Sequence, residues 1–312
     1  MPLSLRRGTV TAIVELHAEL VRLEVDGIAC VAYPRSTGPV EVGDDVVVNV
    51  QARELELGSG GFDVLHVNLT RGLGLEPEPG AHVMTLPYTS LQRAVPHGEE
   101  VALADSLGGL PVVCCSLHSQ VVPVCAALRG AEVAYVQVGG GALPVSLSDA
   151  VRALRAQRLL ALTVAAAPCV DADVQTVNVY SALAYAAASG ADAIACAVGP
   201  GIVGTGTALG HGGLAAAHAV DAAAALGGRA VLAPRVSRGD ARPRHRGLSH
   251  HTQGILRVCL ATPLVPDELE PERWREACAG LPLSHMSRGP DDDPDFFAAA
   301  FAAGRLARSL LT

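Results

Sequence analysis

Two stretches of this sequence concentrate the residue types that do chemistry. The first runs from Arg235 to Arg246, RVSRGDARPRHR, and holds five arginines, Asp240 and His245. Planar guanidinium forks match the geometry of phosphate and carboxylate oxygens, so Arg235, Arg242 and Arg244, with His245 beside them, are candidate ligands for an anion. The second follows at once: Ser249-His250-His251-Thr252. Histidine titrates near neutrality, which makes His250 and His251, with His118 further upstream, candidates for general acid–base work. A metal reading requires His118, His211 or His245 to complete the site. Adjacent histidines in a regular helix or strand point apart, and no HxxxH, HExxH or CxxC spacing is present, so no metal ligand is assigned. Ser249 sits in GLSHH rather than a GxSxG elbow, which argues against a serine hydrolase.

A third stretch, GPGIVGTGTALGHGG, contains Gly199-Pro-Gly201-Ile-Val-Gly204, a G-x-G-x-x-G spacing after an apolar run. As a dinucleotide fingerprint it is imperfect, because glycines continue to Gly213 instead of opening directly into a helix. As a loop of exposed N–H groups near a helix start it is a generic anion cradle, with Gly199, Gly201, Gly204, Gly206 and the Thr205 hydroxyl as contacts. A tight packing turn explains the same glycines equally well. Asn178 joins the candidate ligand residues. No cofactor is assigned.

The elements that must position these residues follow from apolar patterning. From Pro111 onward, unbroken apolar runs (PVVCCSL, AEVAYVQV, RLLALTVA, ADAIACAV, RAVLAPRV) alternate with Ala-rich helical stretches, the mark of a parallel sheet covered on both faces. ILRVCLATP reads as a further strand. DVQTVNVYSALAYAAASG reads as one helix capped by Asp173, and Ser146 as the cap of SLSDAVRALRAQ. In such a sheet ligands bind beyond the carboxyl ends of the strands. The loops after the strands are long and polar, whereas those before them (RGAE, AQR, SGAD, GGR) are short. That asymmetry describes a site on a rigid scaffold.

The fold class expected is α/β: a doubly wound, mostly parallel Rossmann-like sheet preceded by a small antiparallel β-barrel. The boundaries are residues 1–72 for an OB- or SH3-like barrel, 73–110 for a linker with a crossing strand over HVMTLPYTSLQRAV, and 111–312 for the α/β domain. Barrel turns are marked at Asp26-Gly27, Gly38-Pro39, Gly43-Asp44 and residues 58–61. If the strands before Gly199 and Arg235 are neighbours, their two loops lie side by side and bind one anion.

Composition narrows the partners. All 23 basic residues are arginine, which excludes P-loop, Schiff-base and kinase-type lysines. Net charge is −8, and residues 1–70 carry five arginines against ten acids, so nucleic acid and anionic membrane are not expected partners. Charged residues are only 17%, below the usual quarter, and a homodimer is expected. The eight cysteines lie mostly in apolar runs, as in a reduced, cytoplasmic protein.

The motifs TVNVYSALAYAA, GPGIVGTGTALG and RVSRGDARPRHRGLSHHT together resemble an uncharacterised bacterial family, a domain of unknown function found as whole proteins of this length. The resemblance spans nearly the whole chain and implies that these loops are family features. It brings no activity. The expected function is therefore an enzyme binding a small phosphorylated or carboxylated metabolite at the carboxyl edge. The alternative is a non-catalytic nucleotide- or macromolecule-binding module. An enzyme should gather His118 with His250 or His251 beside the Gly loop, whereas a binding module need only cluster its arginines.

Overall fold

The computed structural model describes residues 3–56, 61–269 and 273–311. The chain divides into two compact units, Met1–Val95 and Pro96–Thr312. Among the described residues no helix is long and apolar enough to cross a membrane.

The first unit is a closed five-stranded barrel. Its strands are β1 (Leu5–Leu16), β2 (Val21–Val25), β3 (Ile28–Ala32), β4 (Asp45–Asn49) and β5 (Asp63–Asn68), in the order β1-β2-β3-β5-β4. The closure β4-β1-β2-β3 is a Greek key. Pairing is antiparallel except between β3 and β5, which run parallel. Alternation dictates the interior: β2 and β4 bury every second residue, and Leu23, Val46, Val48 and Leu65 fill the barrel. Asp26 and Gly27 both take positive φ, the two-residue hairpin that joins β2 to β3. Residues 58–60 of the turn marked at 58–61 lie outside the described residues. Two short helical turns, α1 (Pro34–Thr37) and α2 (Gln51–Glu54), complete the barrel connections. The single strand expected over HVMTLPYTSLQRAV is instead a hairpin of β6 (Val83–Thr85) and β7 (Arg93–Val95).

The second unit is a six-stranded parallel sheet with helices on both faces. Its elements are β8 (Pro111–Cys115), α3 (Val121–Ala127), β9 (Val133–Val138), α4 (Asp149–Ala156), β10 (Leu162–Ala166), β11 (Val174–Thr176), α5 (Val179–Ala188), β12 (Ala193–Val198), α6 (Ala215–Ala225) and β13 (Arg229–Ala233). Beyond the sheet come the ribbon β14 (Val236–Ser237) and β15 (Gly247–Leu248), then α7 (His250–Val258), α8 (Arg273–Ala277) and α9 (Pro294–Arg308). The sheet order is β11-β10-β9-β12-β8-β13. Side chains alternate across it: Val113, Cys115 and Tyr135 pack with α3, α4 and α9, while Val112, Cys114 and Val136 pack with α5, α6 and α7.

Several local expectations change. Ser148, not Ser146, caps α4 by accepting from the Val151 amide. The segment after Asp173 is the edge strand β11, and Asp173 instead pairs with Arg155 and accepts from Thr163. The helix begins only after Asn178, whose Oδ1 accepts from the amides of Tyr180 and Ser181. ILRVCLATP is not a strand: its first half is the end of α7, where Ile255 is buried in the layer of α6 while Leu256 and Val258 are exposed. β12 and β13 are not neighbours, since β8 pairs with both and lies between them.

Two loops at the carboxyl edge, after β9 and after β12, interlock through bare backbone. A Cβ built on Gly212 would collide with the Gly140 carbonyl, and one on Gly199 would collide with that of Ala142. The amides of Val203 and Ala142 donate to the carbonyls of Gly140 and Pro200. Glycine is required here for close approach, and this packing carries the chain from β12 round to His211. Gly212→Ala should lower unfolding free energy by about 3 kcal/mol, as overpacking does. A urea midpoint equal to the parent's would show that these loops can separate without loss.

Candidate functional site

The site is best built from Asp240, a carboxylate only 2% exposed in the irregular loop between β14 and β15. Its Oδ1 accepts from the backbone amide and Nε of Arg242, and its Oδ2 from Arg235, Arg242 and Arg288 at 2.8–3.1 Å. Arg242 chiefly, then its other cationic neighbours, holds this carboxyl below the usual carboxylate range. Asp293 fixes the same loop from α9's N-terminus, accepting from the Ser237 hydroxyl, the amides of Arg238 and Gly239, and Arg288. Arg238 pairs with Asp295, and Arg246 donates to the Asp240 carbonyl.

These bonds answer where the arginines go. Arg235 and Arg242 were candidate anion ligands, yet both are committed to Asp240. Burial lowers Arg235 to about 10, even with that partner beside it. Arg244 differs. It is exposed, forms no ion pair or hydrogen bond among the described residues, and its charge reaches His250.

Arg235 also positions the histidines. Its amide donates to Thr252 Oγ1 at 2.8 Å and its carbonyl accepts from the Ser249 amide, which clamps the start of α7 against the end of β13. Ser249 caps α7 by accepting from the His251 amide, and its Oγ lies 2.8 Å from His245 Nδ1. His245, on a single helical turn at 243–245, thus meets His250 and His251, the first two residues of α7. The three ring centroids are 4.6–4.9 Å apart.

A fourth ring completes the group. His211 stacks on His251 with centroids 3.7 Å apart and planes 11° from parallel. It arrives from the glycine loop, whose turn closes through a bridge between Gly204 and His211. Gly254 leaves room on α7 for the Ala208 carbonyl. Burial, then neighbouring charges, lowers His251 to about 2 and His245 to about 3, and also lowers His211 and His250. Both ring nitrogens of His211, Nε2 of His250 and Nε of Arg235 are buried without a hydrogen-bond partner. A buried polar atom left unpaired costs about 1–3 kcal/mol. Each such group needs an explanation, and four of them lie together here.

Other candidates lie apart from this group. His118 sits between Ser148 Oγ, at 2.6 Å, and the Tyr135 hydroxyl, at 3.2 Å. Tyr135 belongs to the α3, α4 and α9 layer, whereas α7 packs on the other face. His118 makes no ring contact or hydrogen bond with the cluster among the described residues. The glycine loop offers little of the cradle expected. The amides of Val203, Thr205, Thr207, Gly210 and Gly212 all donate within the interlocked loops. Thr205 Oγ1 is bonded to Thr207 and to the Gly210 carbonyl. Gly199 and Gly201 serve the packing turn, Gly201 with φ +66°. Gly206 faces open space. Asn178 is used as a helix cap.

Arg288, Asp293 and His285 were missed, since nothing local in the sequence links them to residues 235–246. His285 stacks on Phe296 and meets Ser119 Oγ at 3.1 Å.

Among known proteins, a family model described as "Protein of unknown function (DUF3866)" matches residues 29–278, which include all four histidines and Asp240. No curated protein matches the chain.

Two outcomes follow from the geometry. Asp240→Asn leaves three guanidinium groups facing an uncharged amide and should reduce stability by about 3–5 kcal/mol. Arg244→Ala should leave the urea midpoint unchanged, so the pair of midpoints separates the structural arginine partner from the free arginine. Burial also lowers His118 to about 4 and His285 to about 3, from an ordinary 6.5. The unfolded chain therefore binds more protons below that value, and stability must fall as pH drops from about 6.5 toward 4. Each such histidine adds a slope of about 1.4 kcal/mol per pH unit within its window. His118→Gln should make the acid limb shallower by about one proton in urea melts at pH 7, 6 and 5.

Proposed function

We propose that this chain, which belongs to the DUF3866 family of proteins of unknown function, is an enzyme that binds a small phosphorylated or carboxylated metabolite at the carboxyl edge of its parallel sheet. One observation carries the reading: four imidazoles converge there, with buried nitrogens of His211 and His250 unpartnered and the free guanidinium of Arg244 close enough for His250 to feel its charge. The position itself is where open α/β sheets bind their ligands.

The two classes raised by the sequence now weigh differently. A binding module would present its arginines to the ligand, but here Arg235, Arg242 and Arg288 already converge on Asp240. The groups left without partners are imidazoles, which accept protons or coordinate metals as well as bind. His118, expected beside His250 or His251, is replaced in that role by His211 and His245. The ligand's anionic group meets Arg244, and its reacting part lies against His250. All eight cysteines are free, which favours a reducing compartment such as the cytoplasm. With the low charge content, the reading includes a homo-oligomer.

A thermal-shift screen of the purified chain against phosphorylated and carboxylated metabolites tests this. At least one compound should raise the melting temperature, and Arg244→Ala should weaken it by roughly tenfold or more, the loss of one charge-assisted bond. Hits that bind Arg244→Ala as tightly as the parent would move the ligand away from this edge. A hit that binds there but is never turned over would favour the non-catalytic module.

A further inference from the structure

The proposed site contains more than proton acceptors. The imidazoles of His245, His250 and His251 each offer one ring nitrogen, and these nitrogens all lie within 4.8 Å of one another. Three imidazoles on one tetrahedral ion at 2.0–2.1 Å have nitrogens about 3.4 Å and ring centroids about 5.2 Å apart, and at right angles the centroids close to about 4.5 Å. The centroids here are 4.8, 4.9 and 4.6 Å apart, with the planes inclined by 49°, 89° and 54°. Packed rings also lie about 4.5–7 Å apart, so the spacing permits an ion and the donors carry the argument.

The donors suit a particular class of ion. Nitrogen donors without carboxylate or thiolate favour zinc, iron, copper or nickel over magnesium and calcium. His250 Nε2 is a buried nitrogen with no partner. His245 has Nδ1 against the Ser249 hydroxyl, which orients the ring and leaves Nε2 free, the usual outer partner of a metal-bound histidine. His251 is touched at Nδ1 by Arg235, but at 3.3 Å, and Arg235 has Asp240 as its stronger partner. That long contact is the one that yields. His211 is not a fourth ligand. Its plane is nearly parallel to that of His251, so their in-plane lone pairs run alongside rather than to one point. It braces His251.

We infer that His245, His250 and His251 bind a divalent transition-metal ion and leave its remaining position to the anionic ligand. This rests on the reading given under Proposed function and names the chemistry of that site. Electrostatics requires the last part. The ligands are uncharged, and Arg235 and Arg244 stand nearby, so an added dication must be balanced by an anion such as hydroxide, phosphate or carboxylate. Three protein ligands with an open position are the arrangement of catalytic zinc sites. Metal and anion then bind cooperatively, each raising the other's affinity by the same factor.

The test uses the untagged full chain, stripped with chelator and titrated with Zn²⁺ or Co²⁺ alone by calorimetry, with the visible spectrum of Co²⁺ as a second readout. A single ion per chain with nitrogen-ligand absorption is expected. His250→Gln and His245→Ala should each weaken binding by roughly 10–100-fold or more, taking the loss of an outer partner as the floor. Circular dichroism confirms that the variants are folded, and the half-buried His250→Gln variant covers the case in which His245→Ala is not. No binding of either ion, or unchanged affinity in the folded variants, overturns the inference. Titration of inorganic phosphate onto the stripped chain separates the two proposals. Phosphate binding that depends on Arg244 but not on metal sinks the metal and keeps the anion site. Metal binding that leaves phosphate and every metabolite unbound does the reverse.

Discussion

A single buried carboxylate organises the carboxyl edge of this sheet. Asp240 draws Arg235, Arg242 and Arg288 onto its two oxygens from three separate places in the chain. A buried carboxylate without cations loses far more in desolvation than it gains, so these guanidinium groups must be present for the loop to close. Once it closes, Arg235 has a fixed backbone, and that backbone holds the first turn of α7 through Thr252 and Ser249. His245, His250 and His251 inherit their places from this chain of bonds. The histidines are therefore positioned by an ion-pair network that takes no direct part in the proposed chemistry.

The second constraint is steric. With 3% aromatic residues and a core of Ala, Val and Leu, the layers lie close, and the loops that cross the edge must be thin. Backbone meets backbone where residues 139–141, 199–201 and 212–213 interlock. This consumes the N–H groups that an anion cradle would need, and in exchange it brings His211 onto His251. A glycine loop that looks like an anion's cradle acts instead as the support for the His211 ring stacked on His251.

How much of this was legible follows from what each feature depends on. Unbroken apolar strands alternating with Ala-rich helices, and long loops confined to one edge, are properties of contiguous residues, so the doubly wound sheet and the long loops at its carboxyl edge could be read directly. The barrel's Val-rich alternation and Asp26-Gly27 turn were equally local. Strand order was not: β8 pairs with both β12 and β13, a choice made by how helices cover the sheet, and the expected side-by-side loops rested on it. The arginines' partners were half hidden, because Arg288 and Asp293 lie about fifty residues beyond Asp240 in the sequence. Asn178 and Ser148 show the same limit at short range. Either of two neighbouring polar residues can cap a helix, and packing decides which.

The histidine pair shows where a spacing rule stops being informative. Side chains one residue apart diverge by about a quarter-turn in a regular helix, and that rule makes an HH pair a poor chelate. At α7's first turn the rule loosens, since Ser249 bends the chain into the helix and a third ring approaches from outside it. What sets the geometry is then the loop carrying His245, eleven residues after β13 begins to give way to irregular structure at Pro234. Such a loop can hold a ring accurately only if its own polar groups are satisfied, and Asp240 and Asp293 satisfy them. Among the described residues, buried nitrogens without hydrogen-bond partners also occur elsewhere, at His17, His97 and His285. What distinguishes this edge is that the unpaired nitrogens of His211 and His250 belong to one group of touching rings beside an exposed arginine, which is the arrangement the proposed cation and anion would need.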